Sequence, residues 1–128
     1  MSARSARTPE ECDHLLGEFL AAGDVEAILG LYEQDACFVT QTREVLTGHA
    51  RIRPVMTELA GGRPRLRSRI VLTVPHADGI VMAYNDWTLS SATPDGSTVE
   101  MEGRAVEVMR RQPDGTWLFL LDDPFGRM

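Results

Sequence analysis

Apolar residues fall at Cys12, Leu15, Leu16, Phe19 and Leu20, the i, i+3, i+4, i+7, i+8 stripe of an amphipathic helix. Thr8, Pro9 and Glu11 supply its start: a side-chain N-cap, proline at the first helical position and a capping box. Gly23 ends it, and Asp24 caps a second, shorter helix with Val25, Ile28, Leu29 and Tyr32 inward. The link between them is tight, so the pair forms a hairpin. The period then changes. Residues 35–40 read as a strand, Thr42, Arg43 and Glu44 as a turn, and Val45-Leu46 as a short strand. A third helix opens at Thr47, Gly48 and His49, carries Ile52, Val55, Met56 and Leu59, and stops at Gly61-Gly62. Pro54 sits awkwardly inside it, because proline removes a hydrogen bond and crowds the preceding turn. The pattern predicts an irregular first turn or a regular helix that begins near Arg53.

The second half reads as a meander. Strands are expected over residues 65–75 and 79–91, joined at His76, Ala77, Asp78 and Gly79, and over the two arms of a hairpin spanning residues 100–125. Pro-Asp-Gly occurs at 94–96 and again at 113–115, where proline presets φ and glycine accepts a positive φ. The last arm is apolar from Trp117 to Leu121, as in a strand covered on both faces, and then breaks into Asp122-Asp123. A carboxylate pair there is costly to bury without partners, which marks that end as the floor or rim of a pocket. Helices segregated from an antiparallel sheet make an α+β fold, a curved sheet wrapped on three N-terminal helices. One domain is expected over residues 8–126, with residues 1–7 as a disordered lead-in.

Composition narrows the partners. A net charge of −6 argues against nucleic acid and against anionic membranes. All 13 basic residues are arginine, which excludes a Schiff-base or P-loop lysine. Cys12 and Cys37 lack any metal-ligand spacing and read as reduced core residues. His14, His49 and His76 show no ligand spacing either, so no metal and no cofactor is expected. His49 alone is placed near a pocket mouth. No apolar run approaches the ~20 residues of a membrane span, and the N-terminus has no apolar signal core, so a cytoplasmic protein is expected.

Three stretches, residues 21–39, 46–52 and 110–119, together resemble the nuclear-transport-factor-2-like superfamily, the group of ketosteroid isomerase, SnoaL-type polyketide cyclases and limonene epoxide hydrolase. The similarity covers roughly residues 8–126 and is greatest to the small SnoaL-like branch. It implies a cone whose open end leads to an apolar pocket, and a homodimer through the outer sheet face. Aligned with the epoxide hydrolases, Asp86 and Asp123 fall near the two carboxylates that activate water and protonate the epoxide, and Tyr84 replaces the arginine that bridges them. Aligned with ketosteroid isomerase, the general base falls on Thr40 and the oxyanion-hole tyrosine on Leu16. Glu107 falls near the protonated, hydrogen-bond-donating acid.

Strand parity groups the candidates. If Asp123 points into the cone, so do Leu121, Phe119 and Trp117, while Asp122 points out; Tyr84, Asp86 and Thr88 share one face of their strand. Asn85, Trp87 and the arginine-bearing strand then belong to the outer, dimer-forming side. The expected catalytic set is Asp86, Asp123, Glu107 and Tyr84. The alternative role for these acids is pairing with arginines, chiefly Arg104. The expected ligand wall is Phe19, Phe38, Thr40, Met56, Trp117, Phe119, Leu121 and Phe125. Arg63, Arg65, Arg67 and Arg69 share a strand face, as a solvated or dimer-seam surface opposite Glu100 and Glu102 or as an anion site. The function these residues suggest is cofactor-free acid/base chemistry on a small, apolar, oxygenated molecule, as an isomerase, cyclase or hydrolase. The alternatives are a non-catalytic ligand-binding module and a dimeric scaffold.

Overall fold

In a computed structural model describing residues 4–128, the chain runs α1 (Pro9–Ala22), α2 (Val25–Leu29), β1 (Tyr32–Val39), β2 (Val45–Thr47), α3 (His49–Gly61), β3 (Arg65–His76), β4 (Ile80–Ala92), β5 (Thr98–Arg111) and β6 (Trp117–Asp123). The strands form one curved, unclosed sheet in the order β2-β1-β6-β5-β4-β3. Every neighbouring pair is antiparallel except β1 and β6, which run parallel. The α+β class stands, with that one correction to an all-antiparallel sheet. No described helix is long and apolar enough to cross a membrane.

The helix starts follow the caps. Thr8 Oγ1 accepts from the Glu11 N–H at 3.2 Å, and Asp24 Oδ1 accepts from the Ala27 N–H at 3.1 Å. Glu11 reaches past the cap and accepts from the Arg7 N–H instead. Helix α2 is shorter than its pattern: Tyr32 leaves it and opens β1, where its ring packs on Phe119 at 4.8 Å between centroids. Helix α3 runs unbroken from His49 with Pro54 inside it. The lost hydrogen bond is offset by packing, since Ile52 and Met56 are fully buried on either side of it. Of the expected lead-in, residues 1–3 lie outside the described residues. Ala6 is buried, and its carbonyl accepts from the Trp117 N–H. Cys12 is buried and Cys37 half-buried, both as free thiols.

Bulges in β3 and β6 bend the sheet and reset its faces. Ile70 pairs with Asn85 and Leu72 with Tyr84, leaving Val71 without a partner. Val108 pairs with Leu121 and Met109 with Phe119, leaving Leu120 extra in β6. An extra residue bends the strand and exchanges inward and outward positions beyond it. The helices fill the concave side, where Leu15, Leu16, Leu20, Ile28, Ile52 and Met56 meet Ala83, Met109 and Phe119.

Inside β5, at Gly103, the chain needs a glycine. A Cβ on Gly103 would lie 2.4 Å from Trp87 Cζ2 and 2.8 Å from the Pro124 carbonyl oxygen. That oxygen accepts from the Trp87 indole N–H at 2.8 Å, and Phe125 meets the same indole edge-on at 5.4 Å. Gly103→Ala is therefore expected to cost about 3 kcal/mol by overpacking and to lower the melting temperature by several degrees in a thermal scan. An unchanged melting temperature would refute this account of the contact.

Candidate active site

Between α1, α3 and the concave sheet face lies an open cavity of about 400 Å³. Most of its wall is apolar. Leu16 and Leu20 come from α1, Met56 and Leu59 from α3, and Phe38 and Trp87 from the sheet. Gln41, Glu58 and Met101, all exposed, lie at its rim. Into this wall the chain sets Asp13, Glu107 and Asp122, with Asn85 and Tyr32 beside them, and no arginine or histidine.

Each acid is delivered by ordinary local structure. Asp13 stands three and seven residues before Leu16 and Leu20, so the α1 face that buries those leucines buries Asp13 as well. Glu107 and Asp122 are direct partners across β5 and β6, on the inward side of both strands. Asn85, inward on β4, donates from Nδ2 to Glu107 Oε2 at 3.3 Å and to Ser68 Oγ at 3.2 Å. Its Oδ1 accepts from the Arg69 N–H at 3.0 Å. The Tyr32 hydroxyl donates to Asp122 Oδ2 at 2.6 Å. Among the described residues, no N–H or hydroxyl donor meets either oxygen of Asp13 or Oε1 of Glu107, all three of which are buried.

Burial without a countercharge sets the protonation states. Desolvation raises Asp13 from 3.8 to about 6, against the pull of its contacts with Glu107 and Asn85. It raises Asp122 to about 7, although the Tyr32 hydrogen bond works the other way. Glu107 is driven well above the carboxylate range, first by burial and then by the neighbouring Asp13 charge. Asp13 and Glu107 interact directly, and two carboxylates can do so favourably only if one holds a proton. Asn85 donates to Oε2, so the proton belongs on the unpartnered Oε1. At neutral pH Glu107 is the acid, Asp13 is ionised, and Asp122 is poised between the two forms.

Of the four expected catalytic residues, only Glu107 faces this cavity. Asp86 lies on the outer sheet face, where Arg127 donates to it at 2.7 Å. Tyr84 shares that face, with the Arg127 guanidinium 4.4 Å from its ring centroid. Asp123 is held from outside by both terminal nitrogens of Arg43 at 2.8 Å. The expected parity is thus reversed in β4: Asn85 and Trp87 face inward, Tyr84 and Asp86 outward. In β6 the bulge at Leu120 breaks the alternation, so Phe119 and Asp122 both turn inward. The expected arginine partner also changes. Arg104 is replaced by Arg127 at Asp86 and by Arg43 at Asp123.

Of the expected ligand wall, Phe38, Thr40, Met56 and Phe125 line the cavity. Phe19 and Phe119 are core residues, Trp117 packs against that core, and Leu121 is the partner of Val108 on the outer side. The His49 ring nitrogen bonds the Tyr32 carbonyl oxygen at 2.8 Å and does not reach the acids. Among the described residues, no group of His, Cys, Asp and Glu is arranged to hold a metal ion.

The buried acids give stability a definite pH slope. The folded protein binds protons that the unfolded chain, with its carboxyls near 4, has already released. Stability from Asp13 and Asp122 is full below pH 4 and is lost as the pH rises through about 6 and 7. Denaturant titrations are expected to show a more stable protein near pH 5 than near pH 8, with a shallower slope in Asp13→Asn. A slope of opposite sign would mean that the acids are not buried.

The same architecture occurs in solved structures. An NTF2-like protein with a cystatin-like fold from Novosphingobium aromaticivorans is 16% identical, with 88% of this chain and 75% of that chain covered and a TM-score of 0.73. A ketosteroid isomerase-like protein from Erwinia carotovora atroseptica is 12% identical, with 89% of each chain covered and a TM-score of 0.74. Aln2 from a Streptomyces species is 16% identical, with 91% of this chain and 90% of that chain covered and a TM-score of 0.78. At these identities the likeness is one of fold. No curated protein matches the sequence. Residues 15–119 match the SnoaL-like domain, and by that match, over most of its length, the chain belongs to the SnoaL-like family.

Proposed function

We propose that the protein is a cofactor-free enzyme that moves a proton on a small, largely apolar, oxygenated molecule. The observation that carries this is the trio Asp13, Glu107 and Asp122, facing an open apolar cavity with no cationic side chain in its wall. A binding module would be expected to neutralise such acids with arginine, and a scaffold would fill the cavity with side chains.

The roles follow from the environments. Asp122, raised to about 7 and oriented by the Tyr32 hydroxyl, suits a general base at neutral pH. Its carboxylate takes a proton from the carbon beside a carbonyl. The C–H electron pair becomes a C=C bond, and the carbonyl π pair moves onto oxygen. Glu107, protonated on Oε1 and anchored through Oε2 by Asn85, donates a hydrogen bond to that developing oxyanion. Return of the proton from Asp122 to a different carbon shifts the double bond. The enolate is equally a nucleophile for closing a ring.

Proton abstraction can be read without knowing the natural substrate. The protein in deuterated water is expected to accelerate exchange of the α-hydrogens of a bicyclic ketone such as 2-tetralone, followed by NMR. Asp122→Asn and Glu107→Gln should each slow exchange by about 100-fold or more, the usual contribution of a positioned acid or base. Ketone affinity should stay within about tenfold, roughly 1.4 kcal/mol. Asp86→Asn should leave exchange within about threefold, because the new amide oxygen still accepts from Arg127. Exchange that survives both inward substitutions would overturn the assignment.

The outer sheet face supports an assembly as well. Leu72 and Val74 are 44% and 41% exposed, and Met82, Tyr84, Val106 and Val108 lie half-buried on the adjoining strands. Arg65, Arg67, Arg69 and Glu102 lie beside this apolar stretch on the same face. An apolar face of this kind, bordered by charge, suits a second copy of the chain. Sedimentation at micromolar concentration is expected to give a dimer mass in the native protein and a monomer mass in Val74→Asp. A native monomer would remove the assembly.

A further inference from the structure

The proposed chemistry assigns work to Asp122 and Glu107 and leaves Asp13 unused. Asp13, on α1, is 2% exposed, and among the described residues no N–H or hydroxyl donor meets its oxygens; only the proton held by Glu107 reaches one of them. A buried carboxylate with an oxygen left empty is costly unless something satisfies it. The other groups around it do not. Tyr32 on β1 is committed to Asp122, and Asn85 on β4 to Glu107 and Ser68. Among the described residues, the titratable groups facing the cavity are Asp13 from α1, Tyr32 from β1, Glu58 from α3, Glu107 from β5 and Asp122 from β6, and none of these is a cation. The aromatic side chains of Phe38, Trp87 and Phe125 complete a wall compatible with a cation, and the acids set in it repel an anion.

From this arrangement we infer that the substrate carries a basic nitrogen, and that its ammonium group binds Asp13. The inference rests on the cavity being the substrate site proposed above, and it names the class: a protonated apolar amine that also bears the oxygenated carbon. The ammonium donates two hydrogen bonds to the Asp13 oxygens, a charge-assisted contact in an environment of low dielectric. Glu107 Oε1–H is then released from Asp13 and turns to the substrate oxygen. Carboxylate-bearing, phosphorylated and nucleotide-linked substrates are excluded on the same ground, since each would place a second anion beside three buried acids.

The ammonium has a thermodynamic signature that a neutral ligand lacks. It favours the ionised form of Asp13, so a proton held on Asp13 is expelled to solvent on binding, while Glu107 keeps the proton it turns to the substrate oxygen. Calorimetry near pH 6, where Asp13 is about half protonated, in two buffers of different ionisation enthalpy, measures that release directly. The probes share one ring system: 2-aminotetralin, 2-tetralone and tetralin-2-carboxylate. The amine is expected to bind at least about tenfold more tightly than the ketone and to release protons, while the ketone binds without release and the carboxylate does not bind. Asp13→Asn should bring the amine down to the affinity of the ketone and leave the ketone within about threefold. Glu107→Gln should keep an amine preference.

The possible failures are separable. If the ketone binds and exchanges its α-hydrogens while the amine gains nothing, the amine inference is overturned and the proton-transfer function stands. If the amine binds tightly through Asp13 but no ketone exchanges, the function falls and the ammonium site stands. Tight binding of the carboxylate, or of none of the three probes, overturns the amine inference.

Discussion

Three carboxyl groups held in an apolar cavity without a countercharge are the constraint on which the rest of this molecule turns. An isolated ionised carboxylate is far too costly to bury, so the group keeps its proton or finds a donor. Asp122 has Tyr32, Glu107 has Asn85 and its own proton, and Asp13 has only the proton that Glu107 turns toward it. The same kind of group is thereby split into an acid, a poised group and an anion within one small site. That division is what acid/base catalysis at neutral pH requires, and it is set by position alone.

The fold keeps its cations away from that site. Arg43 pairs with Asp123, Arg127 with Asp86 and Arg110 with Glu33, each outside the cavity. In every one of these pairs the carboxylate lies on the side of the sheet or in the loop region that arginine can reach from solvent. Asp122 and Asp123 show how sharp the partition is. They are adjacent in sequence, yet one bonds a buried tyrosine hydroxyl and the other a half-exposed guanidinium. A chain with arginine and no lysine has long, rigidly forked partners for its outer acids.

The fold was legible because helix caps and apolar periods are local signals. Thr8, Asp24 and the stripe from Cys12 to Leu20 each state their own element. The site was less legible because it depends on which face of a strand is inside, and that is decided by pairing. In β4 the inward set Val81, Ala83, Asn85, Trp87 and Leu89 and the outward set Met82, Tyr84, Asp86 and Thr88 both mix apolar with polar residues. Alternation alone therefore did not choose between them. In β6 the extra residue at Leu120 cannot be seen until Val108 and Met109 are matched to their partners. Asp13 did carry a local signal: its spacing from Leu16 and Leu20 is that of a core position, and a carboxylate in a core position is itself an anomaly. Glu107 was reached through the resemblance to ketosteroid isomerase, whose hydrogen-bond-donating acid falls near it.

Gly103 links the outer sheet to the cavity. It allows the Trp87 indole to lie close against β5 and donate to the Pro124 carbonyl, and that bond fixes the turn carrying Phe125 over the end of the cavity. The next residues return to the sheet, where Arg127 bonds the Ala105 carbonyl and Asp86. Asp86 therefore acts from the far side of the sheet, by holding the segment that closes the wall. A carboxylate expected to perform chemistry is instead an anchor for the residues that exclude water from it. Exclusion of water is also what raises the inner acids, so the outer ion pairs and the inner proton affinities are two consequences of one closure.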